Sequence, residues 1–121
     1  MRALLINPWI YDFAAYDLWS KPIGLLSIAA YLQKLGCEVR LIDCLDRLHP
    51  ALSASGYTIP KTNKYGSGGY YAEEIEKPAV IKNIPRAFKR YGIPFSLFET
   101  ILTMEPDPDV ILVTSGMTYW Y

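Results

Sequence analysis

Ala3-Leu4-Leu5-Ile6-Asn7-Pro8, followed by Pro22-Ile23-Gly24-Leu25-Leu26 and by Glu38-Val39-Arg40-Leu41-Ile42-Asp43, is the sequence whose reading decides the fold. The first run is short and apolar, as in a buried strand, and Asn7-Pro8 ends it because proline lacks an N–H and fixes its own φ. From Pro22 the apolar residues recur at helical spacing as far as Leu32. Pro22 suits a first turn, and Gly36 suits the C-terminal cap. Glu38 to Asp43 reads as a second strand, so the three pieces form a right-handed βαβ unit with a parallel pair. Farther along, Phe95 to Met104 reads as a helix, Pro106-Asp107-Pro108 as a turn and Asp109 to Val113 as a third strand.

The loops that leave the carboxyl ends of parallel strands line the ligand crevice of such a sheet, which directs attention to the connection after the first strand. It holds Trp9, Tyr11, Phe13, Tyr16 and Trp19, with Asp12, Asp17 and Lys21 among them. Large aromatic side chains serve equally well as ligand contacts and as packing over the open end of a sheet or against another domain. Both readings stand at this level.

With 121 residues, 51% of them hydrophobic, the chain has enough apolar material for one globular domain with a buried core. Twelve basic residues balance twelve acidic ones, so the net charge does not favour a nucleic-acid backbone or an anionic membrane as partner. No apolar run has the length of a membrane span, and the first residues lack a secretory signal, so the expected compartment is the cytoplasm. Cys37 and Cys44 bracket the second strand roughly 23 Å apart if extended, too far to pair with each other. Together with His49 they make a poor zinc set, which usually needs four closely spaced ligands.

The stretch from about Leu45 to Pro94 is long for a connection in an α/β unit and reads as an insertion. Ala72 to Lys77 and Ile84 to Tyr91 have the spacing of short helical turns, whereas Lys61 to Gly69 reads as the most mobile part. Tyr57, Tyr65, Tyr70, Tyr71 and Tyr91 argue for partial order, because a tyrosine can bury its ring and keep its hydroxyl wet.

Few residues are arranged for chemistry. Neither Gly-x-Gly-x-x-Gly nor Gly-x-x-x-x-Gly-Lys-Ser/Thr follows the first strand, which argues against the common nucleotide loops. Asp12, Asp17, Asp43 and Asp46 read as solvated carboxylates or helix caps rather than as an acid–base pair. Ser115 lacks a nucleophile elbow, and His49 is the only histidine available as a base. Lys82, Arg86, Lys89 and Arg90, near Phe88 and Tyr91, fall at spacings that share a helical face, a solvated face more readily than an RNA platform.

Leu4-Leu5-Ile6-Asn7-Pro8, Lys21-Pro22-Ile23-Gly24-Leu25-Leu26 with Ala29-Ala30-Tyr31-Leu32, Gly36-Cys37-Glu38-Val39, Asp43 and Val113-Thr114-Ser115-Gly116-Met117-Thr118 occur in an order that resembles the N-terminal cobalamin-binding-type domain of radical S-adenosylmethionine proteins. The resemblance covers most of the chain outside the insertion. It implies a flavodoxin/Rossmann-like parallel α/β sheet, here truncated to about three strands with flanking helices. It further implies that residues 1–121 are a partial cobalamin-binding-like domain whose catalytic domain lies downstream. Three aromatics close behind the third strand fit that expectation, since a complete domain would cover them, and a free sheet edge gives the fragment a route to a homodimer.

Carried over position by position, Asn7 and Pro8 match the turn after the first strand, with Trp9 and Asp43 at the same edge. Ser115, Gly116 and Thr118 match the Ser-x-x-Thr loop that faces the cofactor. Cobalamin is the implied ligand, without the Asp-x-His-x-x-Gly motif that supplies an axial histidine. The Cys-x-x-x-Cys-x-x-Cys set of a [4Fe–4S] cluster is absent from this chain. S-adenosylmethionine and the cluster therefore belong to the expected downstream domain of an iron–sulfur oxidoreductase or methyltransferase, and this chain is non-catalytic alone. The alternatives are a docking domain of the same fold without cobalamin and a free-standing flavodoxin-like domain.

Overall fold

The computed structural model describes residues 1–19, 21–58 and 60–115. In chain order the elements are β1 (Arg2–Asn7), β2 (Ile10–Asp12), β3 (Tyr16–Asp17), α1 (Ile23–Lys34), β4 (Glu38–Asp43), α2 (Pro50–Ala54), β5 (Gly68–Gly69), β6 (Ala72–Glu74), β7 (Lys89–Tyr91), α3 (Phe95–Met104) and β8 (Val110–Val113). They fall into two compact units, one of residues 1–8, 20–44 and 95–121 and the other of residues 9–19 and 45–94.

The first unit is mixed α/β, with a three-stranded parallel sheet in the order β4-β1-β8 and flanking helices. β1 is central and runs in register with both neighbours: Leu5 lies beside Leu41 on one side and Leu112 on the other. Successive side chains of a strand point to opposite faces. Ala3 and Leu5 accordingly form one core layer with Leu25 of α1, joined by Ala29, Leu32, Val39, Val110 and Leu112. Leu4, on the opposite face of β1, is equally buried, which explains why this strand reads as a continuous apolar run rather than an alternating one. Pro22 caps α1 at the position where a missing N–H costs nothing. At the other end Gly36 takes a φ of 81°, its N–H donates to Gln33 O, and Cys37 N–H donates to Leu32 O. That is a Schellman ending, which releases the chain directly into β4.

The second unit joins the aromatic connection to the long stretch that follows β4. β2, β7 and β6 form an antiparallel sheet in that order, and β3 pairs antiparallel with β5. Ile10, Leu45, Tyr70 and Tyr91 make its core, with Ala15 and Ala72 against them. The helical turns expected over Ala72 to Lys77 and Ile84 to Tyr91 are replaced by strands β6 and β7, with one 3-10 turn at Ala79–Ile81 between them. The physical reason is cross-strand pairing: Glu73 stands directly opposite Arg90 and forms an ion pair with it, so charges that suggest a helical face instead meet across a ladder.

Lys61 to Gly69 is not an open loop. Asn63 Oδ1 accepts the N–H groups of Tyr65 and Ser67, and Asn63 N–H donates to Ser67 O at 2.8 Å. Behind this turn lies the buried pair Arg47–Asp17, with Arg47 Nε donating to Asp17 Oδ2 at 3.0 Å. The guanidinium also donates to Gly66 O and Thr62 Oγ1. Asp17 is therefore a buried ion-pair partner and not the solvated carboxylate expected from sequence.

Gly68 sits where any side chain would collide with this network: a Cβ there would stand 2.5 Å from both Arg47 Nη1 and Lys61 O. Gly24, by contrast, has nothing within 4 Å of a built Cβ and lies in a helix. Gly68→Ala is expected to lower stability in urea unfolding and Gly24→Ala to raise it by up to about 1 kcal/mol. Arg47→Ala, which removes the buried ion pair with Asp17, is expected to cost about 3–5 kcal/mol.

Candidate functional site

In the first unit the chain leaves β1 to one side through α1 to β4, then returns past β1 to β8 on its other side. The strand order therefore reverses between β1 and β8, while the two strands stay paired to their carboxyl ends, with Ile6 beside Val113. Such a reversal is where an open parallel sheet makes room for a ligand.

An open cleft of about 480 Å³ lies between α1 and β8. Gly24, Leu25 and Ile28 of α1 form one wall, while Ile111, Leu112 and Val113 of β8, with Thr114 and Ser115 after it, form the other. Leu25, Ile28, Ile111, Leu112 and Val113 supply apolar surface, and the two hydroxyls and nearby backbone supply the few polar groups that orient a ligand. Thr114 N–H donates to Ile6 O at 3.1 Å, which holds the second wall to the end of β1.

Beside the cleft, β1 and β4 finish in register at Asn7 and Asp43. Asn7 is buried, its amide Nδ2 donates to Asp43 Oδ1 at 2.7 Å, and its carbonyl accepts Cys44 N–H at 2.9 Å. The contact fixes the orientation of the Asp43 carboxylate. Burial pushes the Cys44 thiol up from its ordinary 9.0 to about 12, and the Asp43 carboxylate pushes in the same direction. Cys44 is thus an inert thiol, and both cysteines are free.

Of the residues expected at the site, Asn7, Pro8, Asp43 and Ser115 belong to the first unit, and Gly116 and Thr118 lie outside the described residues. Trp9 belongs to the second unit, where its indole N–H donates to Ile93 O at 2.6 Å and the Arg90 guanidinium lies over its ring. The other aromatics of the connection are engaged there too. Phe13 packs edge-on against Phe88 at 5.5 Å, and the Trp19 indole N–H donates to Tyr65 O at 2.8 Å. Gly24, Leu25, Ile28 and Leu112 were not singled out as site residues from sequence; for the three of α1 the signal was present in the Pro22-Ile23-Gly24 start of the helix that crosses from β1 to β4.

The remaining chemical candidates resolve into structural roles. His49 caps α2, its Nδ1 accepting Ala51 N–H. Asp12 and Asp46 accept the backbone N–H groups of Phe13 and Leu48. Phe88 and Tyr91 are buried, so they offer no stacking platform to a base. Among the described residues no group of three or more His, Cys, Asp or Glu side chains is placed to hold a metal ion, and no helix is long and apolar enough to cross a membrane. No known protein family, curated protein or solved structure matches the chain.

The two cysteines make a check on this geometry. At pH 8 iodoacetamide is expected to label Cys37, which is partly exposed, while Cys44 stays protected until the chain is unfolded. The protonated Cys44 of the folded state also predicts stability that falls between pH 9.0 and about 12, because the unfolded thiol ionises first. In Cys44→Ala that part of the pH dependence, followed by circular dichroism, should disappear.

Proposed function

We propose that this chain is an accessory ligand-binding domain of the flavodoxin/Rossmann-like kind, non-catalytic alone, which serves a radical S-adenosylmethionine iron–sulfur enzyme and takes cobalamin as its ligand. The observation that carries the reading is the reversal of strand order between β1 and β8, together with an amphipathic cleft between α1 and β8 that reaches Thr114 and Ser115 beyond the end of β8. The order β4-β1-β8 is the first part of the flavodoxin-like order 2-1-3, whose known ligand position is at this same reversal.

The donor set fits one edge of a corrin rather than its axial position. Leu25, Ile28 and Leu112 offer apolar contact, Thr114 and Ser115 offer hydroxyls, and the only histidine is occupied as the cap of α2. Asn7, Pro8 and Asp43 border the same edge, and Gly116 and Thr118 continue the Ser115 loop in sequence. Trp9 is assigned to the site by resemblance alone. When bound, the corrin would supply the cobalt chemistry, and these residues would hold and orient it. S-adenosylmethionine and the iron–sulfur cluster are assigned to the catalytic domain of the parent enzyme.

The test is titration with hydroxocobalamin, followed by its visible spectrum and by co-elution in gel filtration. The expected result is a saturable complex, and Leu112→Trp, which fills the cleft, should weaken it by about tenfold or more. Elution of the chain free of corrin at all concentrations overturns the assignment and leaves the docking domain of the same fold. That second reading is favoured by the exposed Ile23, Ile28 and Tyr31 of α1, since such apolar surface commonly marks a protein contact.

A further inference from the structure

The hairpin of β6 and β7 closes through residues 75–88, far longer than the roughly two to five residues of an ordinary hairpin turn. Ile75 N–H donates to Phe88 O at 2.9 Å and carries the ladder one step past β6. Beyond that point the loop is ordered by its own backbone. Ile81 N–H donates to Pro78 O in the 3-10 turn at Ala79–Ile81, Ile84 N–H to Ile81 O and Arg86 N–H to Ile84 O. Lys77 Nζ closes the base by donating to Ile84 O, and Pro78 and Pro85 fix their own φ.

The loop's hydrogen bonds are thus made within it, while its apolar side chains are left outside. Val80 is 89% exposed, its neighbours Pro78 and Ala79 are exposed as well, and so are Ile84 and Pro85. A loop already held in one shape loses little freedom on binding, and a contiguous exposed apolar run on it marks a contact.

Charge gives that contact its chemistry. From Lys77 to Arg90 the sequence has five basic residues and no acidic one, although the whole chain is neutral. Arg90 is paired with Glu73 and Lys89 stands opposite Glu74, so those two are balanced within the ladder. Lys77, Lys82 and Arg86 belong to the loop itself. The first is held at Ile84 O and the last lies over the Phe13 ring at 5.5 Å, which fixes one cation before the apolar turn and one after it.

We propose that this loop docks an acidic peptide segment of another protein, one that sets carboxylates against Lys77, Lys82 and Arg86 and an aliphatic side chain against Val80. An anionic membrane fits the same surface less well. Glu74 and Glu76 are exposed at the base of the hairpin, and a uniformly negative plane would repel them as it met the cations. A peptide is a narrow line of charge and can follow the cationic part alone. A nucleic-acid strand would find no ring to stack on, because Phe88 and Tyr91 are buried. The inference lies outside the cleft and holds whether or not a corrin binds.

The test selects peptides from a phage-displayed random library on the 121-residue chain and measures their binding, fluorescein-labelled, by anisotropy. The expected peptides are rich in Asp and Glu beside an aliphatic residue, and their affinity should fall as salt is raised. Lys82→Glu combined with Arg86→Glu should raise the dissociation constant about tenfold or more, and Val80→Asp should do the same. Arg40→Glu, in the other unit, should leave it unchanged. Circular dichroism of each variant confirms that the fold is retained. Peptides without an acidic excess, peptides that bind either loop variant as tightly as the parent chain, or a library that yields none overturn the proposal. So does cosedimentation with phosphatidylserine vesicles that the acidic peptides fail to displace. Because hydroxocobalamin is omitted, peptide docking and corrin binding are read independently.

Discussion

β1 is hydrogen-bonded along both of its edges, to β4 on one side and to β8 on the other, and the arrangement of the first unit follows from that. A central strand of a parallel sheet is covered on both faces, and Ala3, Leu4 and Leu5 are all inaccessible to solvent. It must also lie between the two strands that follow it in the sheet, so the chain has to leave it on one side and return on the other. The reversal of strand order between β1 and β8 is a topological result of that path, and the cleft lies next to it between α1 and β8. What special residues do is line it: a helix start with glycine in place of a side chain, and a strand end that changes from aliphatic to hydroxyl.

The second unit rests on a different kind of interaction. Its ladders are two or three residues long, too short to hold by backbone pairing alone. Arg47 compensates by donating to a carboxylate, a hydroxyl and a carbonyl from separate segments. An ion pair of this depth is costly to desolvate, and its gain over an apolar replacement of equal shape is small. Its effect is on specificity: a guanidinium in a fixed fork accepts only one relative placement of Asp17, Thr62 and Gly66. Gly68 completes the arrangement by leaving room for it.

This difference explains how much was legible in the sequence. β1, α1, β4, α3 and β8 announce themselves locally, through apolar runs, helical spacing, Pro22 at a helix start and Gly36 at a helix end. The partnership of residues 9–19 with residues 45–94 has no local signal, since Asp17 and Arg47 are 30 positions apart and Gly68-Gly69 as a strand has no side chains to alternate. Charge spacing suggested helices over β6 and β7 because Glu73 and Arg90 could only be seen as members of separate local patterns. At the cleft, Ser115 and Asn7 were visible as strand-end residues. Leu25 and Ile28 looked like core positions, and only the openness of the β8 side makes them walls.

The distribution of polar groups at the carboxyl edge fits binding better than chemistry. Asn7 donates to Asp43, which orients that carboxylate at the end of β4. The adjacent thiol is held protonated by burial and by the same carboxylate, which leaves little thiolate to act as a nucleophile at neutral pH. Thr114 and Ser115 bring hydroxyls without a histidine, because His49 is committed to the first turn of α2. Apolar walls and oriented neutral donors can hold a large amphipathic ligand in one pose.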